Sequence, residues 1–198
     1  AVVLHRDATG WSVVETAARS ALRAVWGSAS DDVWAVGDRE LLHFDGSAWT
    51  SRAFVLDGHS DAIWGSCDGG LWVGSASSDT LHHDDGTHWT AILASPPAPE
   101  PSAVSSLFGF GVDDVWAAGV SKAPMFRPLG GLAFSTAWRV RHWNGASWLD
   151  VDLGASESNM FGPRPLVWGA APNDVWVAGD HAHSGPLLHW VFTPRLHH

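Results

Sequence analysis

The residues best suited to chemistry are a short acid–imidazole run, Asp180-His181-Ala182-His183. Two His at alternate positions beside a carboxylate are a donor set for a divalent cation, and His59 could join them from another loop. Asp38 is a further candidate donor to that cation, and such a centre would serve metal-assisted hydrolase or lyase chemistry in a pocket, with Asp57 or Asp180 as the carboxylate. The chain carries 12 His, however, so close pairs also arise from composition alone. No nucleophile elbow, phosphate loop, HExxH helix or paired-cysteine metal motif accompanies them. No catalytic residue is assigned, no cofactor beyond that cation is implied, and the balance is against an enzyme. A second group suits binding instead. The segment Val120–Trp138 holds Phe126, Arg127 and Trp138, too apolar for an ordinary solvent loop and able to wall a pocket or meet a partner.

Composition narrows the field. The formal charge is −10, from 21 acidic and 11 basic residues, and Lys122 is the single lysine among scattered arginines. Nucleic acid and anionic membranes want clustered cations, so both are poor partners. No apolar run reaches the roughly 18 residues of a membrane span. Cys67 stands alone, so no internal disulfide forms. With 14 Trp, 8 Phe, no Tyr, 21 Gly and 11 Pro, the chain reads as many short strands joined by turns. The start at Ala1 suggests a processed secreted, periplasmic or cell-surface protein, or a domain cut from a longer one.

The elements that must position these groups come from an internal repeat. VWGSASDDVWAVG from Val25, IWGSCDGGLWVG from Ile63, LFGFGVDDVWAAG from Leu107 and VWGAAPNDVWVAG from Val167 align directly. In each, an aromatic (Trp26, Trp64, Phe108, Trp168) is followed eight residues later by Trp (Trp34, Trp72, Trp116, Trp176). Between these units a second module places His six residues before Trp: His5–Trp11, His43–Trp49, His83–Trp89 and His142–Trp148. Asp45-Gly46, Asp85-Gly86 and Asn144-Gly145 within it tolerate positive φ and signal tight hairpins.

Each unit therefore predicts four short antiparallel strands, A to D, the form of a β-propeller blade. The fold class expected is all-β, a small propeller occupying 1–198 as a single domain. Its blades start near 25, 63, 107 and 167, and residues 1–14 complete the last blade so that the termini close a four-bladed ring. The repeated Trp are expected to pack between blades. The recurring His, including His189, and the turn Asp (Asp32, Asp114, Asp174) are expected to be hydrogen-bonded scaffold.

The pattern VWG…DVWAVG…HFDGSAW resembles the tandem repeats of bacterial secreted β-propeller proteins, and is more distantly similar to kelch and Asp-box (BNR-type) propellers. The resemblance spans roughly residues 3–192 and implies the fold; it leaves activity open. Asp84-Asp85-Gly86-Thr87-His88-Trp89 comes nearest to an Asp box. The absence of Tyr removes the sialidase nucleophile, and with it that activity.

Spacing also divides the blade into a constant and a variable side. A-to-B spacing is eight throughout and the His–Trp spacing six, whereas B-to-C distances are 9, 11, 26 and 13 and D-to-A distances 15, 15, 19 and 20. In a four-stranded meander the B–C and D–A loops share one face, so the variation gathers there. The function expected is a non-enzymatic binding propeller that recognises a glycan, peptide or partner domain through that face. Its candidate ligand residues are Arg127, Phe126, Trp138, Asp57 and His59, and the candidate metal residues are Asp180, His181 and His183. Two alternatives stay open: a metal-assisted hydrolase or lyase with its pocket on the same face, and a structural domain of a larger protein or oligomer.

Overall fold

The structure is a computed structural model, and it describes residues 1–53, 58–67, 70–93, 103–126, 132–153, 164–179 and 191–192. It opens with a hairpin, β1 (Val3–Asp7) and β2 (Gly10–Val14). Blade one follows as β3 (Leu22–Ala29), β4 (Asp32–Gly37), β5 (Leu41–Phe44) and β6 (Trp49–Arg52). Blade two is β7 (Ser60–Gly65), β8 (Leu71–Ser75), β9 (Thr80–Asp84) and β10 (Trp89–Leu93). Blade three is β11 (Ala103–Gly111), β12 (Asp114–Phe126), β13 (Leu132–Trp143) and β14 (Trp148–Asp150). Blade four comprises β15 (Leu166–Ala171), β16 (Asp174–Ala178) and β17 (Val191–Phe192). Blades one to three are four-stranded antiparallel meanders in chain order, as the repeat predicts.

The registers show why the repeat has its spacing. The two aromatics eight apart face each other across the A–B hairpin: Trp26 with Trp34, Trp64 with Trp72, Phe108 with Trp116, Trp168 with Trp176. The His pairs with the second of them, as in Trp34 with His43, Trp72 with His83 and Trp116 with His142. Blade four departs: Trp176 pairs with Val191, where the sequence suggests His189. The C–D turns are closed by the side chain before the glycine. Asp45 accepts the N–H groups of Ser47 and Ala48, both at 2.9 Å, and Gly46 takes φ 87°, a conformation only glycine adopts freely.

The core lies between blades. Ile63, Leu71 and Val73 of blade two pack on Val36 and Leu41 of blade one; Leu107 and Val115 of blade three pack on Trp72 and Leu81; Val167 and Val175 of blade four pack on Trp116 and Val140. At each joint an aromatic of one blade lies flat over the glycine that follows the next blade's own A-strand aromatic. A Cβ at Gly65 would lie 2.6 Å from Cη2 of Trp26, and one at Gly109 2.7 Å from Cη2 of Trp64. At Gly169 it would run into the ring of Phe110, which takes this place in blade three. That is the physical reason for Gly in VWG: the ring of one blade needs the space of the next blade's side chain.

Ion pairs reinforce the second joint. Buried Arg141 meets Asp79 of blade two at 3.1 Å and Asp150 at 3.3 Å, while Arg139 grips Asp150 at 2.7 Å. The Arg139 hydrogen bond holds the Asp150 carboxyl below its ordinary value against the effect of burial.

One feature differs from the sequence reading, and two others add to it. Val120–Trp138 is no loop: β12 and β13 run in continuous register from Val115–Trp143 to Phe126–Leu132, so the insertion is a hairpin arm. Trp143, outside the repeated positions, belongs to the core, with its ring 5.3 Å from Trp72 and 5.8 Å from Trp148. Finally, among the described residues β1 and β2 form a sheet of their own beside β3.

Candidate functional site

Hydrogen bonds between loops place the B–C and D–A segments together on one face. Glu40, in the first B–C loop, accepts N–H bonds from Arg19 at 2.9 Å and Ser20 at 3.0 Å of the connection into β3. Burial pushes the Glu40 carboxyl up, and these N–H groups with the Ser20 hydroxyl outweigh it, leaving it below its ordinary value. Asp38 forms a bridge with His59 of the next D–A loop, and Ala76 in the second B–C loop donates to the His59 carbonyl at 2.9 Å. The opposite face carries the A–B and C–D turns: a Cβ at Gly46 would lie 2.7 Å from Cβ of Asp31, and one at Gly145 2.8 Å from Oδ1 of Asp113.

The centre of the loop face is built from one repeat position, three residues before the A-strand aromatic. There stand Arg23, Asp61, Ser105 and Pro165. The A strands of successive blades lie side by side, β3 with β7, β7 with β11 and β11 with β15, so these positions form a row. The Asp61 carboxylate is buried, its side chain 6% exposed. Arg164 reaches it at 2.9 Å from the start of blade four, and Arg23 approaches at 3.7 Å from blade one. Arg23 also donates to Asp38 at 2.7 Å; that bond raises the guanidinium's pKa and lowers the carboxyl's. Ser105 donates to the Pro165 carbonyl at 2.6 Å, tying blade three to blade four. Three blades thus converge on one carboxylate, and the exposed Arg164 guanidinium, with five N–H donors in its fork, keeps donors for a further acceptor.

The sequence candidates fall in different places. His59 lies on this face, its Nδ1 3.4 Å from the Ser77 hydroxyl. Trp138 pairs with Val120, and its ring packs over Gly179 at the end of β16: a Cβ there would lie 2.6 Å from Cζ2. That brings the arm of blade three against blade four on the loop face. Phe126 ends β12, paired with Leu132. Asp57, Arg127, Asp180, His181 and His183 lie outside the described residues. Among the described residues no group of three His, Cys, Asp or Glu is placed to hold a metal ion. Arg23 was missed by reading loops alone; its signal was its place in the repeat, level with Asp61.

A second polar constellation belongs to the blades themselves. In blade one, Oδ1 of Asp32 meets Nε1 of Trp34 at 2.9 Å and Nε2 of His43 at 2.8 Å, and Ser28 donates to Oδ2. His43 stacks on Trp34 with centroids 4.1 Å apart, and Arg52 sits 2.9 Å from Nδ1 of His43. A guanidinium can only donate, so Nδ1 is the acceptor and Nε2 carries the proton to Asp32. Blade three repeats the set, with Asp114 at 3.1 Å from Trp116 and 2.7 Å from His142. The geometry resembles an acid–imidazole relay, but the hydroxyl of Ser28 is spent on Asp32 rather than on the imidazole, so it is a clamp and not a nucleophile pair.

A groove of about 470 Å³ runs between blades one and two, lined by Trp26, Trp34, Arg52, Ser66, Thr87 and Trp89 among others. No helix among the described residues is long and apolar enough to cross a membrane.

No family model and no curated protein matches the chain. Among solved structures, a chain described as YCF48 bound to D1 peptide superposes with a TM-score of 0.43 and 14% identity, covering 84% of this chain and 77% of that one.

Proposed function

We propose that this protein is a non-enzymatic binding propeller that takes its ligand on the B–C and D–A loop face. The observation that carries the reading is the convergence of Arg23 and Arg164 on buried Asp61, which fixes an exposed guanidinium on a floor built by three blades. A cation held in place by its own counter-ion is preorganised, so little side-chain freedom is lost when a ligand acceptor arrives. Of a glycan, a peptide and a partner domain, a carboxylate-bearing peptide segment, free or on a domain surface, suits this donor best, because a guanidinium matches a carboxylate in two parallel hydrogen bonds.

Immobilised protein probed with peptide and glycan arrays should select acidic peptides. Arg164→Ala should weaken the selected peptide about tenfold, in the range of one charge-assisted hydrogen bond. Selection of neutral glycans, or peptide affinity unchanged by both Arg164→Ala and Arg23→Ala, would overturn the reading. Stoichiometric divalent metal lost on joint His181→Ala and His183→Ala would turn it toward a metal-assisted enzyme.

A further inference from the structure

Two internal joints are built alike, yet one is closed and the other open. Between blades two and three, Trp72 of blade two meets Trp143 and Trp148 of blade three, with centroids 5.3 and 5.2 Å away, and Trp143 lies 5.8 Å from Trp148. The three rings close that joint: Trp72 is fully buried and Trp148 is 4% exposed. Between blades one and two the repeat puts Trp34, Asp84 and Trp89 in the same three places. A carboxylate thus stands where the other joint has an indole. The groove of about 470 Å³ opens there, with Trp26, Trp34, Trp89 and Asp84 in its lining, and Trp34 and Trp89 are only part-buried. Small-ligand sites span roughly 300–1,000 Å³, so the groove is large enough to be one.

We infer that this groove takes a guanidinium, the side chain of an arginine on a partner polypeptide. A group that stands in for the third indole must be flat, to lie among the rings, and cationic, to meet Asp84. A guanidinium is both: it stacks on aromatic faces and offers a carboxylate two parallel N–H donors. Oδ1 of Asp84 accepts the Gly86 N–H at 3.0 Å, and among the described residues no arginine pairs with this carboxylate. The chain supplies a precedent on the same wall. Arg52 sets its guanidinium 6.0 Å from the Trp34 ring centroid, and Nδ1 of His43 at 2.9 Å holds it there. The surrounding turns are acidic, with Asp31, Asp32 and Asp45 in blade one and Asp84 and Asp85 in blade two. The Ser47 and Thr87 hydroxyls and the turn N–H groups hold the Asp45 and Asp85 carboxyls well below their ordinary value, so both are charged at neutral pH. Such a field draws cations to the groove. The site lies on the turn face and uses none of the residues of the loop-face reading, so the two stand or fall separately.

The test is an NMR titration of the full chain with acetylated, amidated Gly-Arg-Gly. The same peptide with lysine, or with citrulline, which is flat like arginine but uncharged, is titrated beside it. The arginine peptide should shift the Trp34 and Trp89 indole N–H signals saturably, and the other two should bind clearly more weakly. Asp84→Asn should weaken arginine binding about tenfold, the range of one charge-assisted hydrogen bond. Asp84→Trp rebuilds the third indole of the closed joint and should abolish binding, with an unchanged far-ultraviolet circular dichroism spectrum to show that it folds. Arg164→Ala, on the loop face, should leave the titration as it is. Absence of a saturable shift at millimolar peptide overturns the inference. So does equal affinity for the three peptides, or arginine binding that survives Asp84→Trp.

Discussion

Blade one and blade two fold to the same four-stranded meander with different internal chemistry. In blade one Asp32 receives Trp34 and His43, and blade three copies this with Asp114. Blade two has Gly70 at that position, and among the described residues Nε1 of Trp72 and Nε2 of His83 have no hydrogen-bond partner. The stack survives, with centroids 4.3 Å apart. Leaving two buried polar atoms unpaired costs about 1–3 kcal/mol each. Packing offsets it: Trp72 is fully buried, with Trp148 edge-on at 5.2 Å and Trp143 at 5.3 Å, whereas Trp34 is only part-buried. A repeat unit can thus be held by a carboxylate clamp or by an apolar vise, and the same Trp serves both.

The comparison is most sharply tested by removing the vise. Trp72→Ala should destabilise the protein by about 3–5 kcal/mol in urea unfolding, the cost of a fully buried aromatic. Trp34→Ala should cost clearly less, and equal losses would mean that the two blades are held alike.

Removing the clamp should have a middling effect. Asp114→Ala strips the acceptor from Trp116 and His142 and should cost about 1–3 kcal/mol. Restoring it in blade two should act in the opposite direction. A Cβ at Gly70 would lie 3.3 Å from Nε2 of His83 and 3.4 Å from Cγ1 of Val112, so Gly70→Asp fits after the His83 ring gives by a few tenths of an ångström and should stabilise by about 1 kcal/mol. Gly70→Ala, without an acceptor, should give no such gain. Destabilisation by both variants would show that blade two has closed over the position.

The smallest effect is in pH dependence. Burial lowers the His83 pKa, against the pull of Asp85 and Asp84. A depressed imidazole favours folding above its unfolded value of about 6.5, and that contribution is lost as pH falls through the lower folded value. Asp32 is also depressed: burial raises its pKa, and Ser28, His43 and Trp34 more than offset it, so its contribution disappears only below about pH 4. Urea midpoints should therefore decline first below about pH 6.5 and again below about pH 4. Gly70→Asp should abolish the first step and raise the His83 titration midpoint followed by NMR, while Asp32→Asn should reduce the second. A single acid step in the wild-type protein would contradict the blade-two assignment.

Much of the fold was legible because its signals are local. Aromatics eight apart must face across a tight hairpin, and Asp-Gly or Asn-Gly between a His and the Trp six residues after it must turn the chain. The gathering of variable loops on one face followed from strand count alone. The arm of blade three was not legible as an arm, since apolar side chains in an insertion fit a plug, a loop or a strand pair until a register is formed. Arg23 was invisible to a search for loops because it lies inside a strand; only its level with Asp61 marks it.

By itself the sequence determined the unit: four strands, their turns, and the fixed positions at which its aromatic residues recur. What only the tertiary structure decided is how units meet. It brought Arg164 across to Asp61, laid Trp138 over Gly179, buried Ile63, Leu107 and Val167, and left the equivalent Val25 open to water. The reason is physical: identical local sequences specify identical hairpins, but burial depends on which neighbour is present, and that is a property of the assembly rather than of the repeat.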